Sequence, residues 1–68
     1  MIKFKIDIVE ALKNKGVTTY KIRKDKLISE GTLTKLRNSD ASVTLDTINT
    51  LCNLLQCDIG DIIEYLPD

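Results

Sequence analysis

A helix-start pattern that occurs three times in the first half of this chain constrains its fold more than any other feature. Each copy has an apolar residue, then a residue that can cap a helix, then a second apolar residue four positions after the cap. The copies are Ile6 with Asp7 and Ala11, Val17 with Thr18 and Ile22, and Ile28 with Ser29 and Leu33. The cap accepts a free amide of the first turn while the apolar pair packs together. The pattern therefore predicts three helices, which begin directly after residues 7, 18 and 29.

The ends of these helices follow from composition. The first helix is predicted to run to about Lys15 and to stop at Gly16, because glycine readily adopts the left-handed backbone that closes a helix. The second is predicted over about residues 19–25 and the third over residues 30–38. Both are short, and the second offers few apolar side chains for burial.

The second half of the chain predicts two more helices. Thr44 caps the fourth, whose apolar residues recur at helical spacing. Asp58 caps the fifth, which is expected to extend through Tyr65 and to end before Pro67. Residues 1–6 alternate apolar and basic side chains, as in a short strand that pairs with a sheet edge or a second subunit. The sequence thus predicts an all-α fold, a compact bundle of five short helices that forms one domain over residues 1–68, with a short N-terminal strand.

Charge is distributed unequally although the net charge is zero. All ten Lys and Arg residues lie in residues 1–38, together with four acidic residues, so this part carries a net charge of +6. Residues 39–68 contain six acidic residues and no cation, a net charge of −6. Such a division is typical of solvated surfaces that pair within the molecule, and also of a basic face that binds a polyanion. Because the basic half contains the motif described below, we favour the second interpretation.

Several classes of site are disfavoured. The chain has no histidine, and Cys52 and Cys57 match no zinc-binding spacing, so no metal, cofactor or catalytic residue is predicted. Two free thiols without a secretory signal are typical of a reducing cytoplasm, and buried apolar roles are favoured for them over a redox switch. No apolar run approaches the roughly 18 residues that a membrane span requires. A soluble cytoplasmic protein without a small-molecule ligand is expected.

The second and third predicted helices are separated by only four residues, 25–28. Such a connection lets the second of the two helices project into the major groove of DNA. Residues 15–22 (KGVTTYKI) and 28–36 (ISEGTLTKL) resemble the Cro/lambda-repressor-type helix-turn-helix family, also called the XRE family. Residues 44–65 resemble the last two helices of its small, single-domain bacterial and phage-type members. The resemblance covers about residues 8–66 and implies a lambda-repressor-like bundle.

The resemblance also implies a function and a set of contacts. Members are sequence-specific regulators of transcription that bind double-stranded operator DNA, usually as homodimers. By position, Thr19 and Tyr20 would lie near one phosphate strand. The exposed side of the reading helix would be formed by Ser29, Glu30, Gly31, Thr32, Thr34, Lys35 and Asn38. Of these, Lys35 can reach guanine or phosphate and Asn38 can reach phosphate or adenine.

Three residues depart from the family pattern. Arg23 stands where an alanine is usual, and Leu27 where the family has a glycine in a left-handed turn. Either the turn differs locally or Leu27 accepts the strain. Glu30 brings negative charge towards phosphates, although it could accept a hydrogen bond from a cytosine amine.

These departures leave an alternative function open, namely a protein-binding module on the same fold, such as an antirepressor or an antitoxin-like partner. A homodimer is expected as well, because residues 43–66 hold more apolar side chains than one short helix pair can bury. The surplus residues are Val43, Leu54, Ile59, Ile63 and Leu66.

Overall fold

The structure, a computed structural model, describes all 68 residues. The chain forms four α-helices, one short 3₁₀ turn and a two-stranded sheet. In chain order the elements are β1 (Ile2–Phe4), α1 (Ile8–Asn14), α2 (Thr19–Lys24), α3 (Glu30–Arg37), α4 (Leu45–Leu55), the 3₁₀ turn (Ile59–Asp61) and β2 (Ile63–Tyr65).

The predicted caps at the starts of the four α-helices are confirmed. Asp7, Thr18, Ser29 and Thr44 each have an extended backbone, and each side-chain oxygen accepts the amide three residues later. These bonds satisfy donors that would otherwise have no partner in the first turn. Capping chemistry is local, which explains why the sequence alone locates these boundaries.

The predicted fifth helix is wrong. Only residues 59–61 make a helical turn, in which the Asp61 carboxylate accepts the Asp58 amide at 3.1 Å. The chain then extends into β2, which pairs antiparallel with β1 and aligns Ile2 with Tyr65 and Phe4 with Ile63. A segment of seven residues gains little as an isolated helix, whereas pairing satisfies the backbone of both strands. The N-terminal strand is confirmed, and its partner is this chain's own β2.

The core lies among the helices and is purely apolar. Eleven residues are buried, and none of them is polar or charged. The core consists of Ile8, Leu12, Val17, Ile22, Ile28, Leu33, Leu36, Ile48, Leu51, Leu55 and Ile62. Four of the six residues in the repeated apolar pairs belong to this set, whereas Ile6 stays 39% exposed. Helix α1 packs against both α3 and α4, so it supports the helix-turn-helix from behind.

All four helices end in the same way. A residue with positive φ follows the C-cap of α1, α2 and α3, at Gly16 (82°), Lys26 (52°) and Ser39 (55°), and forms the C-cap itself in α4, at Gln56 (54°). The following amide then donates to a carbonyl five residues earlier, as from Val17 to Leu12 at 2.8 Å and from Leu27 to Ile22 at 3.0 Å. This arrangement satisfies carbonyls that the helix leaves free. Only one of the four left-handed positions is glycine, so the other three carry backbone strain.

Candidate nucleic-acid interface

Helices α2 and α3 form the helix-turn-helix, and its turn differs from the one that the sequence resemblance implies. The left-handed residue is Lys26, not Leu27, so the first of the two alternatives for Leu27 holds. Leu27 lies one position further on, donates its amide to Ile22, and packs half-buried against the core. The Leu27 side chain therefore contributes apolar packing in the turn, which a glycine could not do.

Helix α3 is oriented by its buried side. Leu33 and Leu36 are 0% and 1% exposed, and Ile28 is buried just before the helix. The side chains opposite these residues consequently face solvent. This outer side is formed by residues 30, 31, 34 and 35 and by the cap residue Asn38. They share one face because they are adjacent or three or four residues apart.

The predicted contact residues lie on two elements. Thr19 and Tyr20 are in the first turn of α2, where Tyr20 is 73% exposed and Thr19 is half-buried. The remaining seven are on α3 or cap it. Of these, Thr32 is half-buried and six are exposed: Ser29, Glu30, Gly31, Thr34, Lys35 and Asn38. The structure thus leaves most of the predicted set accessible to a partner.

Several of these polar groups already have partners within the chain. The Ser29 hydroxyl accepts the Thr32 amide at 3.3 Å and donates to the Thr32 hydroxyl at 2.9 Å. The Thr34 hydroxyl donates to the Glu30 carbonyl at 3.0 Å. The Lys35 ammonium donates to the Ser42 carbonyl at 2.9 Å. These hydroxyls keep free acceptor sites and the ammonium keeps two further protons, so each can still make a contact outside the chain.

The two unusual residues Arg23 and Glu30 pair with each other. Arg23 Nε donates to Glu30 Oε1 at 2.7 Å, which links the last turn of α2 to the first residue of α3. Their side chains are 48% and 68% exposed. In the sequence, Arg23 and Glu30 stand as two separate departures from the pattern that the resemblance implies. Their separation of seven residues across a turn gives no helical spacing that would have suggested the pair.

The loop after α3 is held close to Lys35. The Asp40 carboxylate accepts the Ser42 amide at 2.9 Å. Hydrogen bonds from the Ser42 hydroxyl and amide, together with the charge of Lys35, hold the pKa of Asp40 below its ordinary value. These bonds and the bond from Lys35 to the Ser42 carbonyl connect the end of the outer α3 surface to the loop that leads into α4.

Sequence reasoning missed three cations of the motif. Lys21 and Lys24 on α2, and Arg37 at the end of α3, are exposed and make no salt bridge. Long flexible cations of this kind are suited to contacts with phosphate oxygens. The charge division between the two halves was the available indication, because residues 19–38 contain six cations and only two acids, a net charge of +4.

This motif, with α3 exposed beyond a short turn, can be compared with known proteins. The family model of the Cro/C1-type HTH DNA-binding domain matches residues 7–68. The chain belongs to this family. The match begins at the Asp7 cap and includes α1 to α4 and β2, whereas β1 precedes it. No curated protein and no solved structure matched the chain. The family match agrees with the resemblance found in the sequence and supports a DNA-binding regulator, and domains of this type are typically not enzymes.

The rest of the surface shows few features of other site types. None of the four α-helices combines the length and the hydropathy that a membrane-spanning helix requires. Cys52 and Cys57 are both free and half-buried, and they border one depression at the end of α4. Removal from water raises the pKa of the Cys57 thiol, and the nearby Cys52 thiol and the Asp61 and Asp58 carboxylates raise it further. A raised pKa leaves less of the reactive thiolate at neutral pH, which favours a packing role.

Proposed function

We propose that this Cro/C1-type protein is a sequence-specific transcriptional regulator that binds operator DNA as a homodimer, with α3 in the major groove. Residues 1–68 act as one DNA-binding domain in this proposal. The observation that carries it is the coincidence of motif and charge, since the segment containing α2 and α3 has a net charge of +4 while residues 39–68 have −6. Such a molecule is attracted to a polyanion through its helix-turn-helix side.

The contacts divide into two classes. We assign phosphate contacts to Thr19 and Tyr20, as well as to the free cations Lys21, Lys24 and Arg37. Base or near-base contacts are assigned to the outer side of α3 and to two residues at its start, the cap Ser29 and Thr32. These residues are Ser29, Glu30, Gly31, Thr32, Thr34, Lys35 and Asn38. Phosphate contacts fix the position of the protein on the duplex, and the edges of the bases determine sequence preference.

A homodimer is supported by apolar surface that the protomer leaves uncovered. Val43, Leu54 and Ile63, three residues of the expected surplus, are half-buried against the protomer's own core. Ile59 and Leu66 remain 48% and 38% exposed. Further exposed apolar side chains belong to β1, β2 or the residue before them, namely Met1, Ile2 and Tyr65. Each strand of the sheet also has one edge without a partner, so we propose this end of the molecule as the dimer contact.

The proposed dimer has to place its two α3 helices one groove repeat apart. The protomer measures 38 × 23 × 19 Å, and successive major-groove faces on one side of B-DNA are about 34 Å apart. The longest extent of the protomer is thus similar to the distance that a two-fold dimer needs between its two α3 helices. Light scattering at high micromolar concentration is expected to give twice the protomer mass. A value of 7.7 kDa at all concentrations would contradict the dimer.

The DNA-binding proposal is tested by a salt titration of binding to duplex DNA that contains the region upstream of the protein's own gene. The logarithm of the affinity should fall linearly with the logarithm of the salt concentration. Lys24→Gln should reduce this slope by about one per protomer and weaken binding equally to all sequences. Lys15→Gln, which removes an exposed cation at the end of α1, outside α2 and α3 and outside the proposed dimer contact, is the matched control and should leave the slope unchanged. Salt-independent binding, or equal binding to random duplex, would contradict the proposal.

Two observations favour a second candidate, a protein-binding module with weak DNA affinity. Thr34 and Lys35 of α3 already make hydrogen bonds within the chain, so they have fewer free donors for DNA. Leu45 at the start of α4 is 79% exposed, which leaves an apolar side chain available to a protein partner. A module of this kind would form a complex of defined stoichiometry with a protein partner in sedimentation experiments. A purified homodimer that captures its DNA and no protein would exclude it.

A further inference from the structure

The contact between Arg23 and Glu30 lies at the surface where α2 and α3 meet. Arg23 Nε and Glu30 Oε1 are 2.7 Å apart, and both side chains are substantially exposed. Ile22 of α2, Leu33 of α3 and Ile28 between the helices belong to the buried core, which Arg23 and Glu30 do not enter. Ion pairs this exposed contribute little to folding, since competition from water and salt offsets most of their attraction. The pair therefore affects chiefly what the surface of the helix-turn-helix can bind.

The pair leaves both of its members with unused capacity. A guanidinium has five N–H donors, and Arg23 commits only the Nε donor to Glu30. Glu30 commits Oε1, while its Oε2 makes no hydrogen bond. The pair as a whole is electrically neutral. It thus presents a free carboxylate oxygen next to free guanidinium N–H groups, without the net negative charge that a lone glutamate would bring to DNA.

This combination matches one edge of the major groove. Among the four base-pair orientations, a carboxylate oxygen finds its best donor in the N4 amine of cytosine, and phosphates next to the groove accept guanidinium N–H groups. Arg23 at the same time restricts the rotamers of Glu30, which lowers the entropy lost when the carboxylate binds a base. A lone glutamate at this position would lack both the neutralisation and the restriction.

We propose that Arg23 and Glu30 act as one specificity unit, in which Glu30 accepts a hydrogen bond from a cytosine amine and Arg23 is the positioning residue that holds and neutralises it. The inference rests on the proposed DNA-binding function and deepens it. Glu30 then makes the protein selective at one base pair of each half-site, and Arg23 keeps the acid compatible with the phosphates. An alanine at position 23 could not hold a glutamate at position 30.

The test is a selection of bound sequences from random duplex DNA, followed by affinity measurements on the selected site. Four variants are compared with the parent protein: Glu30→Gln, Arg23→Met, the double variant that combines them, and Asp25→Asn. The last is the matched control, because Asp25 is an exposed acid of the same motif that makes no salt bridge. Melting temperature and far-UV circular dichroism establish that every variant is folded.

We expect the parent protein to prefer cytosine at one position of each half-site. Glu30→Gln should lose that preference by roughly five- to tenfold, about the factor that 1–1.4 kcal/mol produces. Arg23→Met should also lose it and should bind roughly tenfold more weakly, because Glu30 then faces phosphates unpaired. Adding Glu30→Gln to Arg23→Met should recover most of that affinity. Asp25→Asn should keep the parent's preference.

The failures of the two proposals are distinguishable. If the parent protein shows no salt-dependent binding to duplex DNA, the proposed function is wrong and the specificity unit is wrong with it. If the parent binds DNA while Glu30→Gln and Arg23→Met keep its base preference, only the specificity unit is overturned. Strictly additive losses of affinity in the double variant would overturn it equally, because two residues that act as a unit must show coupling.

Discussion

The glycines of this chain allow one chemical change to be made twice with opposite expected effects. Gly16 ends α1 with a φ of 82°, a conformation that residues with a Cβ atom adopt only under strain. Gly31 lies in α3 and has no positive φ. A Cβ atom built at either position meets no other atom within 4 Å. Steric clashes with neighbours therefore do not enter the comparison, and backbone conformation alone decides the sign.

The magnitudes follow from the backbone. Gly16→Ala should lower the free energy of unfolding by about 1 kcal/mol, since the left-handed penalty of about 1–2 kcal/mol exceeds the entropy that alanine removes from the unfolded chain. Gly31→Ala should raise it by about 0.5–1 kcal/mol, because alanine is the better helix former. For a domain of this size each kcal/mol shifts the melting temperature by about 4–8 °C. The two variants should thus melt on opposite sides of the parent, roughly 10 °C apart.

The assay is thermal unfolding followed by far-UV circular dichroism, with urea titration as an independent measure of the same free energy. Equal m-values in the three proteins would show that the variants differ in stability alone. If Gly16→Ala is as stable as the parent or more so, the left-handed end of α1 is wrong. If Gly31→Ala is destabilised as well, the reasoning about α3 fails.

Three further outcomes are expected. Gln56→Gly should stabilise the protein by about 1 kcal/mol in the same melting assay, because Gln56 carries a positive φ of 54° at the end of α4; a lower melting temperature would contradict this. Leu33→Ala should lower the free energy of unfolding by about 2–5 kcal/mol, since Leu33 is 0% exposed. Little helical signal should then remain at 37 °C. A decrease below 1 kcal/mol in urea unfolding would show that the core is packed differently. Asp40→Asn should be less stable than the parent at pH 7, and the difference should shrink as the pH falls below 3.8, because a lowered pKa in the folded state stabilises it only while the carboxylate is ionised. Urea unfolding at several pH values checks this, and a difference that persists at low pH would show that Asp40 acts through another interaction.

The features that the sequence predicted correctly depend on neighbouring residues. The caps at Asp7, Thr18, Ser29 and Thr44 were predictable because a cap and the amide it binds are three residues apart. Gly16 was predictable as the end of α1 because glycine favours the conformation needed there. The same conformation occurs at Lys26, Ser39 and Gln56. These residue types do not favour it, so the sequence gave no indication of it there.

The features that the sequence missed depend on residues far apart or across a turn. Residues 63–65 become a strand because β1, some 60 positions earlier, needs a partner, and no local pattern carries that information. The contact between Arg23 and Glu30 requires the exact path of the turn, which places the left-handed residue at Lys26. Of the candidate interface, the helix and its orientation were predictable, whereas the internal partners of its side chains were not.

The most direct test of the account is a map of backbone amide chemical shifts during titration with a selected operator duplex. The account predicts that the changes cluster in residues 18–38, strongest on the outer side of α3 and at the start of α2. Smaller changes are expected at the sheet if binding strengthens the dimer. Changes confined to α4 and the strands, with α3 unaffected, would contradict the claim that α3 is the DNA-reading helix.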